Sequence, residues 1–421
     1  MNPKLDLLHP YPFAKMATLL QDSVAASDYQ TIKLGIGEPK HEPPAFVLKV
    51  LADNLNKVQN YPSTNGLLEL RQAIAQWLTN RFKLSQIDTD SQIIPVMGTR
   101  EALFSFVQAA IDLSKAQQAA IDLSKVQEGA GKPLVVMPNP FYQIYEGATL
   151  LAGAEPYFVA CEEDNDFKGD YRSVPSEVWE RTQLVFVCSP NNPTGAVFSE
   201  ADWQALIELS DQYDFIIASD ECYSELYFDT PPVGLLEVCA RLGRHDYKNC
   251  VVFHSLSKRS NLPGLRSGFV AGDANLLKPY LQYRTYQGCA LPIHHQLASI
   301  AAWQDEAHVE TNRQLYAQKF DLWMSELGEL LKLSKPDAGF YFWVQVPEQF
   351  KDEQGELDDE AFVKALFEKV NINALAGRYL SREVNGTNPG KGFVRLALVA
   401  SVEESREAIT RIKTLLSSNA Y

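Results

Sequence analysis

The chain has 421 residues, of which 46% are hydrophobic and 22% are charged, and its formal net charge is −15. This length and composition predict a globular protein of two or three domains. No apolar run is long enough to cross a bilayer, and the acidic balance disfavours non-specific binding to nucleic acid, so we expect neither a membrane nor a nucleic acid as partner.

The N-terminal residues and the cysteines bear on location and redox state. Residues 1–10 lack the apolar core of a signal peptide, so we expect a cytoplasmic protein. The six cysteines show no Cys-x-x-Cys spacing, and several lie in apolar runs, which predicts reduced and buried thiols. The seven histidines show no spacing typical of metal ligands, and we expect no metal site.

Residues 91–115 predict a strand that leads into an amphipathic helix. The turn between them, Gly98-Thr99-Arg100, leaves free backbone amides at the helix N-terminus. Because such a terminus is an anion site, we predict that these three residues cradle a phosphate. An ordinary capped helix is the alternative.

A repeat follows this helix. Residues 108–117 recur almost unchanged at 118–127. Ten residues advance an α-helix by about 1000°, which leaves the apolar face of the second copy rotated by about 80°. One straight helix therefore cannot bury both copies equally. We expect a short duplicated insertion at the surface, looped or helical, and not a functional repeat.

Two apolar runs in the middle of the chain predict buried strands, each ending in polar residues. The run at 183–188 leads through a turn-rich loop to Asn192. The run at 215–219 ends at Asp220, with Tyr223 three residues further on.

A third apolar run, at 251–253, is followed by Ser255, Ser257, Lys258 and then Arg266. Hydroxyls and a guanidinium fork are typical phosphate ligands. A lysine held beside a phosphate can form a Schiff base with an aldehyde cofactor. Pyridoxal 5′-phosphate (PLP) is an aldehyde that carries its own phosphate, so we predict PLP as cofactor and Lys258 as the catalytic residue.

These three strands, if parallel, would present their polar residues along one edge of a sheet. The carboxyl ends of the strands are where open α/β sheets bind ligands. Asp220 would keep the pyridine nitrogen of PLP protonated, and Asn192 and Tyr223 would bind its phenolic oxygen.

The last third of the chain predicts helices and short strands. Helical patterning covers about 296–333, strand-like runs lie at 340–346 and 393–399, and a final helix covers about 403–417. Arg395 lies in the second of these runs, where a charge is costly unless it is paired. A structural salt bridge is one explanation for it.

Four ordered motifs resemble the class I and II PLP-dependent aminotransferases of fold type I, over essentially the whole chain. They are Asn-Pro-Thr-Gly at 192–195, Asp-x-x-Tyr at 220–223, Ser-x-Ser-Lys at 255–258 and Gly-x-Arg at 264–266. The expected α/β fold has a large domain at 50–290, whose mostly parallel central sheet is flanked by helices. A smaller α+β domain would combine 1–49 with 291–421.

The resemblance implies roles for further residues. Tyr142 would stack on the PLP ring, with Phe141 as the alternative. Arg395 would hold the α-carboxylate of the substrate, and Gly37 would lie in the N-terminal substrate loop. Tyr61 resembles a tyrosine that reaches the PLP phosphate of a neighbouring subunit, which implies a homodimer with shared sites.

Two more residues are expected to contact the substrate. Asn192 would touch it as well as the cofactor. Arg284 follows Lys258 at about the separation at which dicarboxylate-specific members place an arginine from the other subunit, so it is a candidate for a second substrate carboxylate. An ordinary salt bridge is the alternative for Arg284.

Within the family, residues 1–13, 262–273 and 283–292 resemble the branch that transaminates a succinylated diaminopimelate with 2-oxoglutarate in lysine biosynthesis. That resemblance implies amino-acid and 2-oxo-acid substrates. No residue named above specifies a succinyl group. Another class I or II aminotransferase, of aspartate, aromatic or glutamine type, and a carbon–sulfur β-lyase of the same fold remain alternatives. A PLP-sensing transcription regulator is disfavoured, because it would need a basic DNA-binding appendage.

Overall fold

The computed structural model describes residues 1–114 and 131–417. The predicted surface insertion falls mostly on residues outside this part of the chain. In chain order, the strands are β1 (Ile32–Lys33), β2 (Ile93–Val96), β3 (Leu134–Asn139), β4 (Glu155–Ala160), β5 (Thr182–Cys188), β6 (Ile216–Asp220), β7 (Cys250–Ser255), β8 (Gly268–Gly272), β9 (Tyr341–Gln345), β10 (Ile372–Asn373), β11 (Leu375–Ala376) and β12 (Phe393–Ala397).

The α-helices of the described residues are α1 (Pro12–Leu19), α2 (Ala45–Asp53), α3 (Leu68–Phe82), α4 (Thr99–Ala110), α5 (Ile144–Ala152), α6 (Ser176–Trp179), α7 (Glu200–Tyr213), α8 (Leu235–Arg241), α9 (Leu256–Arg259), α10 (Ala274–Gln287), α11 (Ile293–Gln304), α12 (Ala307–Leu327), α13 (Asp359–Val370) and α14 (Val402–Ser417). None of them is long and apolar enough to span a membrane.

A seven-stranded sheet forms the centre of the fold, with the strand order β2-β8-β7-β6-β5-β3-β4. Strand β8 runs antiparallel to both of its neighbours, and the remaining pairs are parallel. The predicted mostly parallel sheet is therefore confirmed. The three strands predicted to end in polar residues are β5, β6 and β7, which lie side by side.

The continuous apolar sequence of the central strands follows from burial on both faces of the sheet. In β7, Val251 and Phe253 pack into the core on one face, and Val252 packs into the core on the other. All three are at most 1% exposed. Helices cover both faces, so neither face of these strands needs polar residues.

Smaller sheets join the two ends of the chain. Strand β12 lies between β11 and β9 in an antiparallel sheet, and β1 pairs parallel with β10 through Ile32 and Ile372. This pairing ties the N-terminal segment to the C-terminal part, the two pieces that were predicted to share a domain. The domain boundaries themselves stay a prediction.

The helical region predicted at 296–333 is two helices with a break between them. Helix α11 ends at Gln304, and Asp305 has an extended backbone with ψ of 129°. Its carboxylate accepts a hydrogen bond of 3.0 Å from the backbone amide of His308. Asp305 therefore caps the first turn of α12, which explains why the helix stops and restarts there.

Candidate active site

A cavity of about 620 Å³ opens at the carboxyl ends of the central strands. Cys188 at the end of β5 is paired in register with Asp220 at the end of β6. Ser255 at the end of β7 lies beside Gly268, whose other neighbour is Val96 at the end of β2. The predicted residues that line this cavity are Gly37, Thr99, Arg100, Tyr142, Asn192, Asp220, Tyr223, Ser255, Ser257, Lys258, Arg266 and Arg395.

The ammonium of Lys258 lies inside this cavity against a neutral partner. It donates a 2.6 Å hydrogen bond to the carbonyl oxygen of Gly37 and lies 5.3 Å from the centre of the Phe340 ring. Burial lowers the pKa of Lys258 to about 8, and the positive charges of Arg395 and Arg100 act in the same direction. The amine is therefore neutral at a much lower pH than an exposed lysine, as a nucleophile requires.

The backbone at the start of α4 lies against the guanidinium of Arg266. Gly98 precedes this helix with φ of +84°, and a Cβ placed there would lie 2.1 Å from Nη2 of Arg266. Only glycine allows the backbone to approach the guanidinium so closely. Gly98 does not itself line the cavity, although Thr99 and Arg100, the next two residues, do so.

Asp220 is a buried carboxylate, only 4% exposed. It accepts hydrogen bonds of 2.7 Å from the phenol of Tyr145 and 3.3 Å from the backbone amide of Cys222. Burial raises its pKa, and these hydrogen bonds oppose that rise. Among the described residues no lysine or arginine forms an ion pair with it, so its charge has no cationic partner within that part of the chain.

Arg395 lies on β12 and faces the same cavity from the smaller sheet. Its guanidinium donates to Asn192 Oδ1 at 2.9 Å and to the carbonyl oxygen of Gly35 at 2.8 Å, and it lies 4.4 Å from the centre of the Tyr341 ring. It has no carboxylate partner among the described residues. A salt bridge therefore does not explain this buried charge.

Gly37 and Tyr341 line the cavity where the N-terminal loop packs against the smaller sheet. A Cβ at Gly37 would lie 1.9 Å from the phenol oxygen of Tyr341, so the loop can occupy this position only with glycine. The same phenol is 3.0 Å from the phenol of Tyr223. Tyr341 thus supports both the loop and Tyr223.

Sequence reasoning missed Tyr145 and Tyr341. Tyr145 stacks on Phe186 at 4.3 Å and donates to Asp220, so its position depends on how α5 packs against the sheet. Its nearness in sequence to Tyr142, whose ring contacts that of Tyr145 at 5.8 Å, was the available signal. Tyr341 had no comparable signal, because an aromatic residue in an apolar strand is ordinarily core.

Three aromatic predictions concern the cavity and its surroundings. Tyr142 lines the cavity, and its phenol accepts a hydrogen bond of 2.6 Å from Nε of Arg100. Phe141 is 1% exposed and packs in the core, so it is not placed to stack on a ligand. Tyr61 is fully exposed on this chain and does not line the cavity.

The placement of Arg284 does not agree with a role in substrate binding. It is 0% exposed, and its guanidinium donates to both carboxylate oxygens of Glu101, at 2.8 and 3.0 Å. It also donates to the phenol of Tyr280 and the carbonyl of Cys289. In the single chain this guanidinium is enclosed by its own partners and does not line the cavity. The alternative, a structural salt bridge, describes Arg284 better.

The comparisons with known proteins agree with this arrangement. The family described as aminotransferase class I and II matches residues 29–412. The chain therefore belongs to the class I and II aminotransferases. Enzymes of this family use PLP, and they transfer amino groups between amino acids and 2-oxo acids.

Individual relatives cover nearly the whole chain. The LL-diaminopimelate aminotransferase of Nitratidesulfovibrio vulgaris (strain DSM 19637 / Miyazaki F) is 31% identical over 418 residues, 98% of each chain. An aminotransferase structure from Neisseria meningitidis Z2491 is 47% identical with a TM-score of 0.89, covering 99% of this chain and 100% of the other. The probable N-succinyldiaminopimelate aminotransferase of Thermus thermophilus shares the fold at 24% identity and a TM-score of 0.80, covering 96% of this chain and 100% of the other.

The low pKa of Lys258 leads to a prediction about its reactivity. Reductive labelling of the apoprotein with PLP and borohydride should mark Lys258, and the labelling rate should rise with pH and level off above about 8. Exposed lysines would level off above about 10. Peptide mapping checks the site, and Lys258→Ala is the control. Label on a different lysine, or a plateau near the higher value, would contradict the assignment.

The ion pair of Arg284 leads to a second prediction. Arg284→Met should lower the free energy of unfolding by about 3 kcal/mol, because it leaves the Glu101 carboxylate without its partner. The ratio of turnover with glutamate to turnover with a monocarboxylate amino acid should not change. Urea unfolding and steady-state kinetics measure the two effects. Unaltered stability together with a selective loss for glutamate would restore Arg284 as a substrate ligand.

Proposed function

We propose that this aminotransferase binds PLP in the described cavity, with Lys258 as the residue that carries it. The observation that carries the proposal is that one cavity holds both a lysine of low pKa and a buried carboxylate with no cationic partner among the described residues. A buried carboxylate is retained when a cation balances it. The protonated pyridine nitrogen of PLP is a cation of the right kind.

The phosphate group of PLP fits the opposite end of the same site. Thr99 and Arg100 supply amides at the start of α4, and Ser255 and Ser257 supply hydroxyls. Arg266 supplies a guanidinium, held by the carbonyl of Pro263 at 2.8 Å. Together they offer hydrogen-bond donors and positive charge to a dianion, and no carboxylate in the set opposes it.

When bound, PLP supplies an aldehyde carbon for amine exchange and a ring that accepts an electron pair. Lys258 would hold and move the α-proton of the substrate at Nζ. Asp220 would keep the ring nitrogen protonated, and Tyr145 would hold the Asp220 carboxylate in place. Asn192 and Tyr223 would bind the phenolic oxygen, while Tyr142 would cover the ring. Because one substrate leaves before the next one binds, the kinetics should be ping-pong.

The cations of the cavity support substrates that carry two carboxylates. Arg395, whose guanidinium donates to two neutral oxygens, would hold the α-carboxylate as a bidentate fork. Once Arg266 is assigned to phosphate, Arg100 is the remaining guanidinium of the lining residues. It lies 5.9 Å from the ring centres of both Tyr11 and Tyr142, which would present it to a distal carboxylate.

We infer that the amino-group donor is a diaminopimelate derivative and that 2-oxoglutarate is the acceptor. The proposed reaction converts N-succinyl-LL-2,6-diaminopimelate and 2-oxoglutarate into N-succinyl-2-amino-6-oxopimelate and L-glutamate. Support comes from the resemblance of three sequence segments to that branch and from relatives named for diaminopimelate. The relatives at about 30% identity act on the free LL-diaminopimelate by name, so the unsuccinylated substrate is the second candidate.

A panel of amino donors with 2-oxoglutarate tests the proposal. The panel contains N-succinyl-LL-diaminopimelate, LL-diaminopimelate, aspartate, phenylalanine, glutamine and cystathionine. The proposal predicts the highest kcat/KM for the succinylated compound. Preference for the free compound would favour the second candidate. Pyruvate release from cystathionine, without glutamate formation, would favour a carbon–sulfur lyase.

A homodimer fits the exposed apolar residues near the predicted intersubunit tyrosine. Leu55, Val58 and Tyr61 are 56%, 69% and 103% exposed on the single chain. Burial of these side chains against a second copy would remove apolar area from water. It would also allow Tyr61 to reach the phosphate of the partner's site.

Asp220 provides a test of the proposed cofactor chemistry. Asp220→Asn should lower kcat by at least about a hundredfold, because a neutral amide no longer favours the protonated ring nitrogen. Cofactor affinity should fall much less, since the phosphate contacts remain. Stopped-flow half-reactions and equilibrium dialysis separate the two effects. A variant that turns over normally would show that Asp220 has a different role.

Arg100 provides a test of the second carboxylate site. Arg100→Met should lower kcat/KM for glutamate by about ten- to a hundredfold, the effect of about 1.5–3 kcal/mol for a charged hydrogen bond. The loss for norvaline, a monocarboxylate of similar size, should be much smaller. Arg172→Met, an exposed arginine elsewhere on the chain, is the control. Equal losses for both amino acids would place Arg100 with the cofactor and not with the substrate.

A further inference from the structure

A buried lysine outside the cavity has no acidic partner in the described residues. Lys319 on α12 is 1% exposed. Its ammonium donates to Nε2 of His41 at 2.8 Å and to the carbonyl oxygen of Leu398 at 3.1 Å. A buried ammonium without a carboxylate is costly, so its surroundings call for an explanation.

The hydrogen bonds continue from His41 to the backbone of the catalytic lysine. The ring nitrogen Nδ1 of His41 is 2.8 Å from Oδ1 of Asn312. The amide nitrogen of Asn312 donates to the carbonyl oxygens of Lys258 at 3.1 Å and Arg259 at 3.3 Å. These are the last carbonyls of the short helix α9, which have no partner within the helix itself.

The groups at the two ends of this series of hydrogen bonds fix which atom donates in each bond. Two carbonyl oxygens face one end of the Asn312 side chain, so that end must be the NH2 group. Its oxygen therefore faces His41 and also accepts from the amide of Asn261 at 2.9 Å. Hence Nδ1 of His41 carries a proton, and Nε2 accepts from the ammonium of Lys319. Burial lowers the pKa of His41 to about 4, and the Lys319 ammonium acts in the same direction, so the imidazole is neutral.

The three side chains join elements that also meet in the active site. His41 follows the substrate loop, in which Gly37 accepts a hydrogen bond from the Lys258 ammonium. Leu398 follows β12, the strand of Arg395. Asn312 and Lys319 lie seven residues, or about two turns, apart on α12 and therefore on one face.

We propose that Lys319, His41 and Asn312 form a positioning network that holds the backbone of Lys258, the substrate loop and the Arg395 strand in one register. The network contacts neither substrate nor cofactor and acts through Lys258 and Gly37. This proposal rests on the proposed function, in which Lys258 is the residue that carries the cofactor. Reductive labelling tests that role independently.

Matched asparagine variants separate positioning from general stability. Asn312→Asp keeps the side-chain shape but replaces the donor to the two carbonyls with an acceptor. Asn371→Asp is the control, because Asn371 is also buried and its amide donates to two carbonyls, those of Ala26 and Tyr29, remote from the cavity. Both should lower stability, whereas only Asn312→Asp should affect the active site.

Hydrogen exchange of the apoprotein provides a readout that does not depend on activity. In Asn312→Asp, amides of residues 255–262 should exchange about tenfold faster, with little change at these residues in the Asn371 variant, which borders the β1–β10 pairing instead. In the PLP-loaded protein, the pH midpoint of the visible absorbance, which reports on Lys258, should shift only in the Asn312 variant. If the two variants speed exchange at these residues equally, and neither shifts the pH midpoint of the absorbance, the proposal is overturned.

A double-mutant cycle tests whether the members act together. His41→Phe keeps the ring that packs 4.4 Å from Tyr316, and Lys319→Met keeps the aliphatic stem. If they form one network, the loss of kcat/KM in the double variant should be close to that of either single variant. If the loss of kcat/KM in the double variant equals the product of the two single losses, the side chains act independently and the network is contradicted. If Lys319→Met does not fold, Lys319→Gln, which retains an amide donor, serves in the same cycle.

Discussion

Among the described residues Asp220 is buried without a cationic partner, and this is the constraint on which the site depends. Its carboxylate lies at the end of β6, held by the phenol of Tyr145 and the amide of Cys222. Such a group would be expelled from the core or neutralised unless a positive partner came with the ligand. The parallel alignment of β5, β6 and β7 places a lysine and a phosphate-binding set beside it. A ligand with a cationic ring, an aldehyde and a phosphate satisfies all three at once.

A second feature is common to the cations of the site. Lys258 and Arg395 are anchored by backbone carbonyls and an amide oxygen and not by carboxylates. Neutral partners fix the side chains in place and leave their charge available to anionic substrates. The cavity is therefore locally positive in a chain whose formal net charge is −15. The same principle extends to Lys319, whose partners are an imidazole and a carbonyl.

The sequence predicted the central sheet and the polar residues of the cavity to which it gave a role in binding the cofactor or the substrate. A continuous apolar run that is followed directly by polar residues is typical of a buried strand that ends at a binding site. The four motifs were in addition specific for the aminotransferase family. The choice between a substrate contact and a salt bridge for Arg284 could not be made from sequence, because its burial depends on Glu101, which lies 183 residues away. Tyr145 and the break at Asp305 were missed because they depend on packing and on a local cap. Tyr61 stays a prediction, since its role requires a second chain.

The central claim is that one end of the cavity binds a phosphate and that Asp220 faces a ring nitrogen. A crystal structure of the protein grown with PLP tests this most directly. The account predicts the phosphate among Thr99, Ser255, Ser257 and Arg266, the aldehyde carbon bonded to Lys258, and the pyridine nitrogen within hydrogen-bond distance of Asp220. A phosphate bound elsewhere, or a ring whose nitrogen faces away from Asp220, would contradict it.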